Sequence, residues 1–108
     1  MSQFRCIVQH DGNADTRRVE LERRLTTLYG ETYGHTAPTF TWLPVPAGKM
    51  FTAGEQSTSS IVSSFVDRPT SLAEREHYMR TVCDIWTEVT ACIDHEVVVT
   101  VTETVEKG

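Results

Sequence analysis

The sequence predicts an α+β fold in which two consecutive β-α-β units share a four-stranded sheet with both helices on one face. Three observations predict it. Alternating or β-branched runs stand at 4–9, 39–45, 60–66 and 96–102. Between the members of each pair lies a helix-length stretch with apolar residues at steps of three and four. The order strand, helix, strand occurs twice, in halves of about 2–45 and 60–103 of a single domain 1–108.

The first run alternates Phe4, Cys6 and Val8 with Arg5, Ile7 and Gln9, as a half-buried strand does, and Asp11, Gly12 and Asn13 end it. Asn13 or Asp15 can cap the helix that follows, whose Val19, Leu21, Leu25, Leu28 and Tyr29 form the apolar stripe. Gly30 and Gly34 mark its end. Phe40, Thr41 and Trp42 restore strand chemistry until Pro44 and Pro46, which remove two backbone donors and imply an edge or a bend. The stretch 46–60 is rich in Gly, Ser and Thr, with Met50 and Phe51 between two glycines, and reads as a hairpin or covering loop.

In the second half, the strand at 60–66 and the turn at 67–70 lead to Ser71 and Glu74, the spacing of a capping box. Behind them Leu72, Met79, Val82, Trp86, Val89 and Ile93 recur at steps of three, four or seven, a stripe that reads as core. Asp94 and His95 then introduce the β-branched run. With both helices on one face, the opposite sheet face is bare. A domain this small, with two tryptophans and a valine-rich last strand, is expected to cover that face by association with sister subunits.

Composition excludes several classes of function. The net charge is −5, and Arg17, Arg18, Arg23 and Arg24 are interleaved with Glu20 and Glu22, so no basic footprint for nucleic acid is expected. No stretch has the length or apolarity of a membrane span, and residues 1 to 20 lack the apolar core of a signal peptide, which predicts a cytoplasmic protein. Cys6, Cys83 and Cys92 are odd in number and lack metal-ligand spacing; Cys6 and Cys83 suit small buried thiols. His10, His35, His77 and His95 read as surface or turn residues, none obviously paired with a carboxylate, and no metal or cofactor is expected.

The amino-terminal strand, the stretch Leu25-Thr26-Thr27-Leu28-Tyr29 and above all Pro46-Ala47-Gly48-Lys49-Met50-Phe51-Thr52-Ala53-Gly54 resemble the tautomerase superfamily, most nearly its cis-3-chloroacrylic acid dehalogenase branch. The resemblance covers residues 2 to about 103. It implies a homotrimer with active sites near the amino termini, where an amino-terminal proline, exposed by loss of the initiator methionine, acts as general base or acid while arginines hold a substrate carboxylate.

Ser2 stands where the family has that proline. A free Ser2 amine, with an ordinary pKa of about 7.7–8.0, can act as a weak base; a retained Met1 would bury or displace it. The branch has a paired-arginine turn where Asp67-Arg68-Pro69-Thr70-Ser71 falls, so Arg68 is either the carboxylate anchor or a solvated turn residue. Tyr29 falls where the branch has histidine, and either donates to a substrate oxygen or packs on the core. Thr100 falls where the branch has a tyrosine, and the chain stops at Gly108, short of the extension that carries a glutamate in the dehalogenase, so hydrolytic dehalogenation is not expected.

Two functions follow from the resemblance. One is a cofactor-free isomerase or lyase for a small enolisable carbonyl or carboxylate compound, with Ser2, Arg68 and Tyr29 around its pocket. The alternative is a non-catalytic ligand-binding or structural subunit, assembled with itself or beside a catalytic paralogue.

Overall fold

A computed structural model describes residues 2–34, 37–46, 48–49, 51–52, 55–56, 59–91 and 97–103. Met1, His35, Met50, Cys92, Ile93 and His95, all weighed above, lie outside the described residues. Strand β1 (Gln3–Gln9) leads through a four-residue helix, α1 (Asn13–Thr16), into α2 (Arg18–Tyr33) and β2 (Thr39–Val45). A two-stranded hairpin, β3 (Phe51–Thr52) with β4 (Glu55–Gln56), precedes β5 (Ser60–Val66), α3 (Leu72–Thr90) and β6 (Val97–Glu103). The main sheet has the order β2-β1-β5-β6, with β1 parallel to β2, β5 parallel to β6, and the two units joined antiparallel between β1 and β5.

Alternation along the strands sorts the two sheet faces. Phe4, Cys6 and Val8 of β1 and Ser60, Val62, Ser64 and Val66 of β5 are buried beneath the helices. On α2 the buried residues are Leu21, Leu25, Leu28, Tyr29 and Tyr33; on α3 they are Tyr78, Val82, Ile85, Trp86, Val89 and Thr90. The sequence stripe errs at two positions. Val19 is 84% exposed and Leu72 63% exposed, because each lies in the first turn of its helix, ahead of the part that packs on the sheet.

Aromatic rings tie the layers together. Phe4 stacks on Phe40 at 5.1 Å between centroids, Phe40 on Trp42 at 6.4 Å, and Trp42 on Trp86 at 6.1 Å, a chain running from β1 across β2 to α3. The indole N–H of Trp42 donates to Glu22 at 2.7 Å, so its polar end is satisfied.

The helix ends follow local chemistry. The Ser71 hydroxyl accepts from the Glu74 N–H at 3.1 Å and the Glu74 carboxylate accepts from the Ser71 N–H, closing the capping box. At the other end of α3, Arg17 donates to the Val89 carbonyl at 2.5 Å and Asn13 to the Thr90 carbonyl at 2.9 Å, so the first unit satisfies carbonyls that the helix leaves unpaired. Asn13 therefore caps the other helix's carboxy terminus rather than its own amino terminus, where Gly12 is the N-cap. Asp15 accepts instead from the Asp11 N–H and from Arg18.

On the open sheet face, the registers align Leu43, Ile7, Ile61 and Val98 in one row across all four strands. Leu43 is 46% and Val98 51% exposed, so the row is an apolar band at the surface of the isolated chain.

Candidate functional site

The amino end of β1 lies beside the end of β5, since Gln3 pairs with Phe65. Ser2, just ahead of the strand, is 3% exposed, and its carbonyl accepts from the Thr39 N–H at 3.1 Å. Its hydroxyl shares a hydrogen bond with the hydroxyl of Tyr29, itself buried near the end of α2. Two residues 27 positions apart are thus joined at the mouth of the first strand.

One turn further along α2, Tyr33 meets Tyr29 at 5.4 Å between ring centroids and Tyr78 of α3 edge-on at 5.0 Å. The Tyr78 hydroxyl pairs with Ser64 at 2.9 Å. Tyr33 is buried as well, yet its hydroxyl has no hydrogen-bond partner among the described residues, a situation that costs about 1–3 kcal/mol. Burial foremost raises its pKa, with Glu74, Tyr29 and Glu103 adding to the rise and Arg75 opposing it, so at neutral pH the group is a protonated donor. Sequence reasoning missed this residue. The available signal was the Tyr29–Tyr33 spacing of four, which places both rings on one helix face.

Arg68 is exposed in the turn between β5 and α3. Its guanidinium Nη2 lies 3.4 Å from where a Cβ on Gly34 would stand, and Gly34 takes φ +113°, a conformation for glycine. The guanidinium therefore sits by the last residues of α2, where the helix's carbonyl end attracts a cation. No described carboxylate forms an ion pair with it. Of the three sequence-predicted residues, then, Ser2 and Tyr29 are in contact, and Arg68 stands at the end of the helix that carries Tyr29 without a direct hydrogen bond to either among the described residues.

Beside this group, Glu103 at the end of β6 accepts from the Thr70 hydroxyl at 3.0 Å and pairs with Arg75 at 2.9 Å. The Thr70 hydroxyl first, then its N–H and Arg75, hold the Glu103 carboxyl below the usual range. A lowered folded pKa means stability present above the unfolded value of about 4.3 and lost as pH falls through the lower folded one. Glu103→Gln is expected to melt below the wild type near neutral pH, with the gap closing in acid. Thermal scans across the acid range check this, and a gap independent of pH would refute it.

Other titratable groups lie elsewhere. His10, contrary to the sequence reading, does approach carboxylates, lying 3.4 Å from Asp11 and 3.6 Å from Asp15, but at the far end of β1 from Ser2. Asp15 in that group already pairs with Arg18 at 2.5 Å. The Cys6 thiol is fully buried, and burial pushes its pKa up to about 12, which leaves it protonated and unreactive at neutral pH. A groove of about 550 Å³ lined by Glu76, Met79, Arg80, Cys83, Asp84 and Val99 follows the outer side of α3 beside β6.

Neither a protein-family model nor a curated protein sequence matches the chain. Solved structures do. Native Ps01740 superposes with a TM-score of 0.86 at 22% identity, over 94% of this chain and 92% of that one. N1, a member of the cis-3-chloroacrylic acid dehalogenase (cis-CaaD) family, gives 0.85 at 15% identity, over 94% of this chain and 73% of its own. Fused 4-OT chains superpose at 0.78 to 0.82. The chain has the tautomerase-superfamily fold. Pt0534, inactivated by 2-oxo-3-pentynoate, shares the tautomerase fold with it at a TM-score of 0.82 and 15% identity, over 95% of this chain and 85% of that one. The likeness read from residues 2 to about 103 is thus matched, as a fold, over 94% of this chain in Ps01740 and in N1. Among the described residues, no helix of this tautomerase-fold chain is long and apolar enough to cross a membrane.

Proposed function

We propose that the chain is a cofactor-free isomerase or lyase of the tautomerase type, acting on a small enolisable carbonyl or carboxylate compound at the mouth of β1. The observation that carries this reading is the buried hydrogen bond between Ser2 and Tyr29. It gathers hydroxyls at the point where, in the family resembled, a terminal amine moves a proton. Loss of Met1 would make the Ser2 nitrogen a primary amine with an ordinary pKa of about 7.7–8.0, a fair base near neutrality. In a 1,3-proton shift the amine takes the enol hydroxyl proton and a proton is returned to carbon, so C=C–O–H becomes H–C–C=O. Arg68 supplies the cation for a substrate carboxylate, and Tyr29 orients the Ser2 end of the site. The 2-oxo acid that inactivates Pt0534 supports that substrate class.

Intact mass of the purified protein, read together with turnover of phenylpyruvate enol, tests the reading. Loss of Met1 with enzyme-dependent ketonisation is expected. A protein without Met1 that turns over neither this enol nor related enols would leave the second reading, a ligand-binding or structural subunit of a tautomerase-fold oligomer. The observation favouring that alternative is that Ser2 is nearly fully buried with its hydroxyl already engaged.

The assembly belongs to the same proposal. Trimers formed by fused 4-OT chains and the band of Leu43, Ile7, Ile61 and Val98 support a homotrimer whose sheets face one another. Ile7→Asp is expected to reduce the sedimenting species to a monomer while leaving the far-ultraviolet circular dichroism unchanged. A wild type that sediments as a monomer at micromolar concentration would refute the trimer. Localisation in the cytoplasm, and a catalytic paralogue as partner should the homotrimer prove inactive, belong to the same proposal.

A further inference from the structure

Three tyrosines pack together between the Ser2 end of the sheet and the first turns of α3, and their hydroxyls differ in one respect. Tyr29 is bonded to Ser2 and Tyr78 to Ser64, whereas Tyr33, 2% exposed, has a hydroxyl with no partner among the described residues. A phenylalanine would fill the same space between the same two rings without leaving a donor unmet, so packing gives no reason for the oxygen. Tyr33 adjoins Gly34, beside which the Arg68 guanidinium lies. A donor on the last residue of α2 and a guanidinium reaching in from the β5–α3 turn thus lie at the same end of that helix, one turn beyond the residue that holds Ser2.

We propose that Tyr33 is a further binding residue of the candidate site, donating its hydroxyl hydrogen to an oxygen of a small carboxylate ligand whose charge Arg68 pairs with. This rests on the proposed function, since it adds a contact to the same site. Glu74 and Glu103 lie within electrostatic reach of the hydroxyl and Arg75 partly offsets them, so a carboxylate there needs a further cation, the part the proposal gives to Arg68. The pairing gives the site its selectivity: a 2-oxo acid satisfies both groups, and a neutral ketone of the same length leaves the guanidinium unpaired.

The test is calorimetric titration of the full chain with 2-oxopentanoate and, as the neutral control, 2-pentanone, alongside melting temperatures, for the wild type, Tyr33→Phe, Arg68→Gln and Tyr78→Phe. Expected results are binding of the acid and not the ketone by the wild type, acid affinity weakened about 5- to 20-fold in Tyr33→Phe with a melting temperature equal to or above the wild type, and a comparable weakening in Arg68→Gln. Tyr78→Phe, which removes a paired hydroxyl, should melt lower and bind the acid as the wild type does. If Tyr33→Phe binds the acid unchanged while Arg68→Gln does not, the inference falls and the proposed function stands. If Tyr33→Phe melts well below the wild type or fails to fold, the hydroxyl has a structural partner and the inference falls. A wild type that binds no acid overturns both.

Discussion

Trp86→Ala is expected to destabilise the chain by about 3–5 kcal/mol, a large part of the stability of a small domain. Trp86 is 1% exposed, lies midway along the buried face of α3, and stacks on Trp42 at 6.1 Å. Through Trp42 it joins Phe40 and Phe4, so its removal opens a cavity and also unseats the stack that fastens the edge strand β2 to the far helix. The surroundings cannot readily collapse into the space, since Trp42 is held at its other end by Glu22 and by the Arg18 guanidinium 5.3 Å above its ring. Urea unfolding followed by circular dichroism checks the value: the midpoint should fall with little change in slope. A loss under about 1 kcal/mol would mean that Trp86 is not the keystone of this core.

Ser2→Pro is expected to raise phenylpyruvate enol ketonisation over the wild type, by a factor that stays within the roughly 10²- to 10⁴-fold a well-placed general base contributes in all. The backbone accommodates the change. The β1 ladder starts at Gln3, so the Ser2 nitrogen lies outside it, and the Ser2 carbonyl that accepts from Thr39 is kept. The substitution removes the Ser2 hydroxyl and frees that of Tyr29 to face the ligand. A secondary amine forms only if Met1 is lost, so the same preparation is weighed by intact mass. Loss of Met1 without a gain in rate would refute a tautomerase-type pocket at the mouth of β1.

Much of the architecture was legible because its signals are local. Strand alternation located β2 and β5 to the residue, and the Ser71/Glu74 spacing located the start of α3, since each depends on neighbours within a few positions. Val19 and Leu72 misled because periodicity says which residues share a face and not where along the helix that face meets the sheet. The break at Arg17, which turns its side chain to the Val89 carbonyl 72 residues away, answers to the other unit and leaves no local trace. The candidate site divides in the same way. Ser2, Tyr29 and Arg68 were singled out by the family resemblance, but the Ser2–Tyr29 bond, the approach of Arg68 to Gly34 and the Tyr33 hydroxyl without a partner among the described residues arise only when β1, α2 and the β5–α3 turn converge.

Two β-α-β units related across the antiparallel β1–β5 pair give the sheet two equivalent strand mouths at opposite ends. Ser59, just ahead of β5, corresponds to Ser2, and the second residue past each first strand is Arg68 at one mouth and Asp11 at the other. The duplicates have opposite electrical character. One offers a guanidinium and the other is flanked by Asp11 and Asp15 with His10 between them. The nitrogen of Ser59 is an internal amide whatever happens to Met1, its lone pair delocalised into the carbonyl, so it has no basicity to offer. The repeated unit therefore presents two strand mouths with the same order of elements and opposite charges beside them, a guanidinium at the mouth that holds Ser2 and carboxylates at the mouth that holds Ser59.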